Sequence, residues 1–212
     1  MGESSLQLSA VAKHYRRRPV FSEVSVRISR SETLAVTGPN GSGKSTLMKI
    51  IAGVLTPSNG TVTLTVDGAV VAPERHFAHL GFVAPYLQMY DEFSAWENLR
   101  TVCRIRGLDA ADESLLGLLR TVRLADRRND PVRTYSSGMK QRLKYAFALV
   151  HRPALLLLDE PGANLDEDGA AMVSEIIAAH RREGIVVVAT NDRAEAAACD
   201  RTLDIRDYQG RA

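Results

Sequence analysis

One stretch, Gly38-Pro39-Asn40-Gly41-Ser42-Gly43-Lys44-Ser45-Thr46, limits the folds open to this chain more than any other. Thr33 to Thr37, just before it, is short, apolar and β-branched, and reads as a buried strand. Leu47 to Ala52, just after it, has no breaker and reads as the start of a helix. Strand, glycine-rich loop and helix form the context of a phosphate-binding loop. Gly38, Gly41 and Gly43 can take backbone angles that other residues avoid, so successive N–H groups can turn inward around an anion. The helix beginning near Lys44 adds its positive dipole end. Lys44 can reach β- and γ-phosphates, and the Ser45 hydroxyl can join a Mg²⁺ shell. This points to a nucleoside triphosphate and leaves open what the energy drives.

The flanks extend the pattern. Leu6 to Val11 and Val24 to Ile28 alternate like strands, with a basic turn at Arg16-Arg17-Arg18-Pro19 that reads as solvated. Pro57 to Gly60 reads as a turn, Thr61 to Val66 as a strand, and His79 to Val83 as a short apolar strand. From Pro85 to Arg152 helical spacing takes over: Trp96, Leu99, Val102, Cys103 and Arg106, then Leu115, Leu116, Leu118, Leu119 and Val122. Ala154 to Leu158 returns to a buried strand, Glu167 to Arg182 reads as a helix, and Ile185 to Ala189 as another buried strand. The expectation is an α/β fold: a P-loop NTPase core with a mainly parallel sheet, an antiparallel β subdomain, and an inserted helical subdomain over 85–152. Residues 1–84 and 153–212 form the core of that single domain.

Composition excludes some classes. With 212 residues, 45% apolar and 25% charged, the chain suits one large soluble domain. A net charge of +2 gives no argument for direct nucleic-acid binding. No apolar run approaches the ~18 residues that span a bilayer, and the N-terminus lacks the pattern of a signal peptide. A cytoplasmic protein is expected, with any membrane role supplied by a partner. Cys103 and Cys199 have no metal-type spacing and read as small buried side chains in a reducing compartment.

Two further stations carry chemistry. Leu155 to Leu158 ends in Asp159-Glu160, two carboxylates at the end of a buried strand, where parallel sheets present ligands. Asp159 can hold Mg²⁺ through water, and Glu160 can orient and deprotonate an attacking water. Tyr135-Ser136-Ser137-Gly138-Met139 precedes the helical run from Leu143 to Val150; its hydroxyls and free N–H groups suit an anion or a plain helix cap.

In this order the motifs resemble those of ATP-binding-cassette (ABC) ATPases over nearly the whole chain. Gly38 to Ser45 matches the P-loop, and Tyr135 to Met139 resembles the family signature, with Ser137 in a glycine position and Met139 in a glutamine position. Asp159-Glu160-Pro161 resembles the acidic strand end, and Ala163-Asn164-Leu165-Asp166 the loop after it. Tyr15 stands where the family places an aromatic ring against adenine. The resemblance implies an ATPase using ATP and Mg²⁺, a head-to-tail dimer of identical or different cassettes, and two ATP between the subunits. Ser136 and Gly138 of one subunit would meet the γ-phosphate held by Lys44 of the other, with Ser137 and Asp166 beside the nucleotide.

The chain departs from the family at two places. Pro85 stands where a glutamine usually meets Mg²⁺, and Gln88 is the residue that could fold back to replace it. Asn191 stands where a histidine usually reaches the γ-phosphate; its amide donates a neutral hydrogen bond only. Glu160, Lys44 and Asp159 are all present, so an active ATPase of modest turnover is expected, against the alternative of a site that mainly binds ATP. Tyr86 to Leu99 is rich in aromatics, and in the resembled transporters this region receives a helix of the membrane subunit. Tyr86, Met89, Tyr90 and Phe93 could line such a groove, while Phe93 and Trp96 suit the subdomain core better. The function this implies is energising transport through a separate integral membrane subunit, with the protein peripheral on the inner face of the membrane. The alternative is a soluble ATP-driven clamp on a protein or nucleic acid.

Overall fold

The computed structural model describes residues 2–16 and 18–210. Met1, and Arg17 in the middle of the expected basic turn, lie outside them. In chain order the elements are β1 (Ser5–Tyr15), β2 (Arg18–Ser29), β3 (Thr33–Thr37), α1 (Lys44–Ile51), β4 (Asn59–Val66), β5 (Ala69–Val71), α2 (His76–His79) and β6 (Leu80–Val83). There follow α3 (Ala95–Arg106), α4 (Asp112–Thr121), α5 (Ser137–Leu149), β7 (Leu155–Asp159), α6 (Glu167–Arg181), β8 (Ile185–Thr190), α7 (Arg193–Ala197) and β9 (Arg201–Asp204).

The strands form two sheets. An antiparallel four-stranded sheet runs β2-β1-β4-β5, and a parallel five-stranded sheet runs β6-β7-β8-β3-β9. The continuous apolar runs of β7 and β8 are buried throughout, as strands covered on both faces require. Successive side chains point to opposite faces. Leu155 and Leu157 join the core shared with the antiparallel sheet and α1, whereas Leu156 and Leu158 join the core under α3, α4 and α5. One strand thus ties both halves of the interior, and it ends in Asp159 and Glu160.

Helix boundaries follow local chemistry. Ser94 and Glu97 make a reciprocal capping box at the start of α3, and Gly107 closes that helix in the left-handed conformation. Ser136 caps α5 by accepting from the Met139 N–H, and Asp166 caps α6 by accepting from the Gly169 N–H.

The structure corrects four expectations. Arg18 and Pro19 belong to β2, an edge strand, the position in a sheet that tolerates proline. Asn59 and Gly60 already belong to β4, reaching back to pair with β1 beyond its irregularity after Ser9. Phe93 is 39% exposed and rests against Tyr90 instead of filling the core, with ring centroids 5.3 Å apart. Cys199 is only half-buried, although both cysteines are free.

Candidate functional site

β3 delivers the chain into the glycine loop, and α1 leaves it at Lys44. Gly43 sits at φ 107°, and a Cβ there would lie 2.7 Å from Val20 Cγ1, so both conformation and space demand glycine. α1 has no side-chain cap and no acidic residue in its first turn. Its free N–H groups and positive end therefore remain available to an anion. Lys44 is buried, and its Nζ donates to the Gly38 carbonyl at 2.8 Å and to the Pro39 carbonyl at 3.2 Å. Gln209 Nε2 donates to the Ser42 carbonyl at 2.8 Å and braces the loop from behind.

Opposite the loop stands the end of β7. Ser45 Oγ donates to Asp159 Oδ1 at 3.2 Å. Asp159 is 1% exposed, and its Oδ2 is buried with no partner. Burial pushes the Asp159 carboxyl above the usual carboxylate range; the Ser45 hydrogen bond, Lys44 and Lys49 oppose this, while Glu160 adds to it. A buried carboxylate with spare lone pairs beside a hydroxyl is a hard-oxygen donor set, and it fits Mg²⁺.

Glu160 follows at φ 52°, a left-handed conformation uncommon outside glycine, and its N–H donates to the Ala189 carbonyl at 2.8 Å. Its side chain lines a hollow of about 350 Å³ with Tyr15, Val20, Asn40, Gly41, Gly43, Lys44, Ser45 and Thr46. Tyr15 is exposed, with Lys13 Nζ 5.2 Å from its ring centre. At the end of β8, Asn191 Nδ2 donates to Asn40 Oδ1 at 3.2 Å, so this amide reaches the tip of the loop. Most of the nucleotide residues expected from the sequence therefore converge.

Others stand apart within the chain. Ser136, Ser137 and Gly138 open α5 and do not line that hollow; a Cβ on Gly138 would lie 3.2 Å from the Asn164 carbonyl. Asp166 caps α6 and pairs with Arg142 at 2.7 Å. The signature turn and the loop after β7 thus share one face. Gln88 is not brought to Ser45 and Asp159: it is exposed and lines a separate hollow with Lys140 and Lys144. The residue that turns toward Lys49 and Asp159 is Tyr86. Its ring edge meets Phe82, and Lys49 Nζ lies 4.3 Å from its centre. Burial, then the Asp159 charge, pushes the Tyr86 phenol up to about 12.

One residue outside every sequence motif braces the site from beside it. Glu195 accepts from the Gly162 N–H at 3.1 Å and from Thr190 Oγ1 at 2.5 Å, touching the chain just after Glu160 and just before Asn191. Its only sequence mark is a carboxylate in an alanine-rich turn.

Comparison with known proteins gives the family and the fold. The family model described as "ABC transporter" matches residues 21–163. The lantibiotic transport ATP-binding protein SrtF of Streptococcus pyogenes is 33% identical over 86% of this chain and 78% of its own length. The cytochrome c biogenesis ATP-binding export protein CcmA of Cupriavidus pinatubonensis is 35% identical over 82% of this chain and 77% of its own. The solved ATP-binding subunit of an ABC transporter superposes with a TM-score of 0.83 at 26% identity, over 94% of this chain and 85% of that one. A dimeric ATP-binding cassette in a post-hydrolysis state, bound to ADP and Pi, shares the fold with a TM-score of 0.83 at 23% identity, over 94% of each chain.

Proposed function

This chain belongs to the ABC transporter family, and on that premise we propose that it works as one of two cassettes packed head to tail, with two ATP between them. It is an ATP-hydrolysing subunit that energises transport. The relatives above are named for lantibiotic transport and for an export step of cytochrome c biogenesis, which speaks against a soluble clamp.

In the proposed scheme Tyr15 stacks on adenine, and the backbone N–H groups from Gly41 to Thr46 hold the phosphates. Lys44 turns from its loop carbonyls to the β- and γ-phosphates. Ser45 and Asp159 hold Mg²⁺, which when bound neutralises charge on the phosphates. Glu160 orients the attacking water and takes its proton, and the Asn191 amide donates to a γ-phosphate oxygen. Ser136 and Gly138 of the other cassette complete the γ-phosphate site, which explains why they stand away from the hollow of their own chain. Asp166 holds Arg142 and the start of α6 in place beside them. Gln88 takes no part in this scheme. The observation that carries it is the Ser45–Asp159 contact, with Glu160 following at the mouth of the loop.

Among the described residues no helix is long and apolar enough to cross a membrane. The membrane partner is proposed to dock on the exposed aromatics Tyr86, Tyr90 and Phe93, placing the subunit at the inner face of the membrane. The dimer is testable by light scattering on Glu160→Gln, which should keep ATP. ATP with Mg²⁺ should double its mass relative to the nucleotide-free protein, and an unchanged mass would reject the head-to-tail arrangement.

A further inference from the structure

The chain from Glu160 to Ala163 is held from several sides. Glu160 N–H donates to the Ala189 carbonyl at 2.8 Å, and Tyr145 Oη donates to the Pro161 carbonyl at 2.9 Å. The Gly162 N–H is taken by Glu195 Oε1 at 3.1 Å, across thirty-three positions of sequence. The other oxygen of the same carboxylate, Oε2, accepts from Thr190 Oγ1 at 2.5 Å. Thr190 is buried, and its hydroxyl also accepts from the Asp192 N–H at 2.9 Å. Asn191 lies between those two residues. Asp192 Oδ1 in turn accepts from the Ala194 N–H at 2.6 Å and from the Glu195 N–H at 3.1 Å, fixing the turn that carries the carboxylate. One side chain therefore bonds the segment after the general base and the residue before the γ-phosphate amide.

Two facts show that this contact is built. A Cβ on Gly162 would lie 2.5 Å from Glu195 Oε1, so the carboxylate approaches a position that admits only glycine without displacement. Glu160 holds a left-handed backbone at φ 52°, and such a conformation persists only where the surroundings over-determine it. The Gly162–Glu195 bond is one of those surroundings.

We propose that Glu195 is a positioning residue for hydrolysis: its carboxylate clamps the Glu160 loop to the Asn191 strand end, so that base and γ-phosphate donor move as one piece. It acts through Glu160 and Asn191 and does not itself line the hollow at the P-loop. The inference rests on the roles proposed above for Glu160 and Asn191. ATP binding, which rests on the P-loop and Tyr15, does not depend on it.

The test compares Glu195→Ala, Glu195→Gln and Gly162→Ala with wild type. A carboxamide still accepts from the Gly162 N–H through its oxygen, so Glu195→Gln retains half of the clamp. The expected result is a fall in kcat of about ten-fold or more for Glu195→Ala, with the dissociation constant for a fluorescent ATP analogue unchanged, and a smaller fall for Glu195→Gln. Gly162→Ala should resemble Glu195→Ala because it pushes the carboxylate away. Paired with Asn191→Ala, Glu195→Ala should be non-additive in kcat. Wild-type kcat in Glu195→Ala, strict additivity with Asn191→Ala, or a lowered melting temperature with kcat intact would each overturn the clamp. If Glu160→Gln hydrolysed ATP like wild type, the assignment of the base would fail instead, which separates the two conclusions.

Discussion

Asn191→His tests how this site handles the developing charge. Asn191 Nδ2 already reaches Asn40 Oδ1 at 3.2 Å, so a side chain at this position just after β8 stands at the tip of the phosphate loop. The asparagine is exposed, leaving room for an imidazole. A hydrogen bond to an ionised phosphate oxygen is already charge-assisted when an amide donates it, in the class of about 1.5–3 kcal/mol. The exchange therefore adds only the attraction of a full positive charge at an exposed position, about 1 kcal/mol at about 4 Å, or roughly a five-fold rise in kcat if it is felt fully in the transition state. The gain belongs to the imidazolium, whose ordinary pKa is about 6.5, so it should grow as pH falls from about 8 to about 6. The assay is phosphate release at saturating Mg²⁺-ATP across that range, with ATP affinity measured in parallel. An unchanged kcat, or a gain independent of pH, would show that the side chain at 191 does not meet the γ-phosphate.

Other expectations follow from the same geometry. Burial holds the His151 and His180 imidazoles down to about 4, with the Arg106 charge adding to the effect at His151. Because the folded values lie below the unfolded value, the unfolded chain binds more protons between about pH 6.5 and pH 4, and stability falls as pH drops through that window. At pH 5 each histidine should cost on the order of 2 kcal/mol relative to neutrality. Urea midpoints at pH 7.5 and pH 5 for His180→Gln should differ less than those of wild type, and equal differences would refute the assignment. Asp159→Asn removes a buried, half-unpartnered carboxylate, so the nucleotide-free protein should melt at least as high as wild type. The extra thermal stabilisation that Mg²⁺ adds to ATP should disappear in this variant; its survival would remove Asp159 from the metal site.

The legible parts of the site were those whose chemistry is local. Gly38 to Thr46 carries its own turn and helix start, and Asp159-Glu160 ends a run that only a doubly covered strand explains. Ser136 and Asp166 sit at helix starts that their side chains cap within three residues. What escaped was non-local. Glu195 meets Gly162 and Thr190 only because α7 folds back beside the end of β7, and nothing in Arg193 to Ala197 announces it. Gln88 is near enough in sequence to replace the glutamine absent at Pro85, yet the chain carries it to Lys140 and Lys144 and turns Tyr86 toward Lys49 instead. Phe93 has the composition of a core residue but stands beside Tyr90 on an exposed face. Its neighbours Ser94 and Ala95 are the residues that the fold buries there.

The most direct measurement is ATP hydrolysis by purified protein beside Glu160→Gln. The expected result is Mg²⁺-dependent phosphate release by wild type and its loss in the variant, with ATP still bound. Equal rates in the two proteins would contradict Glu160 as the base and, with it, the arrangement of the site proposed here.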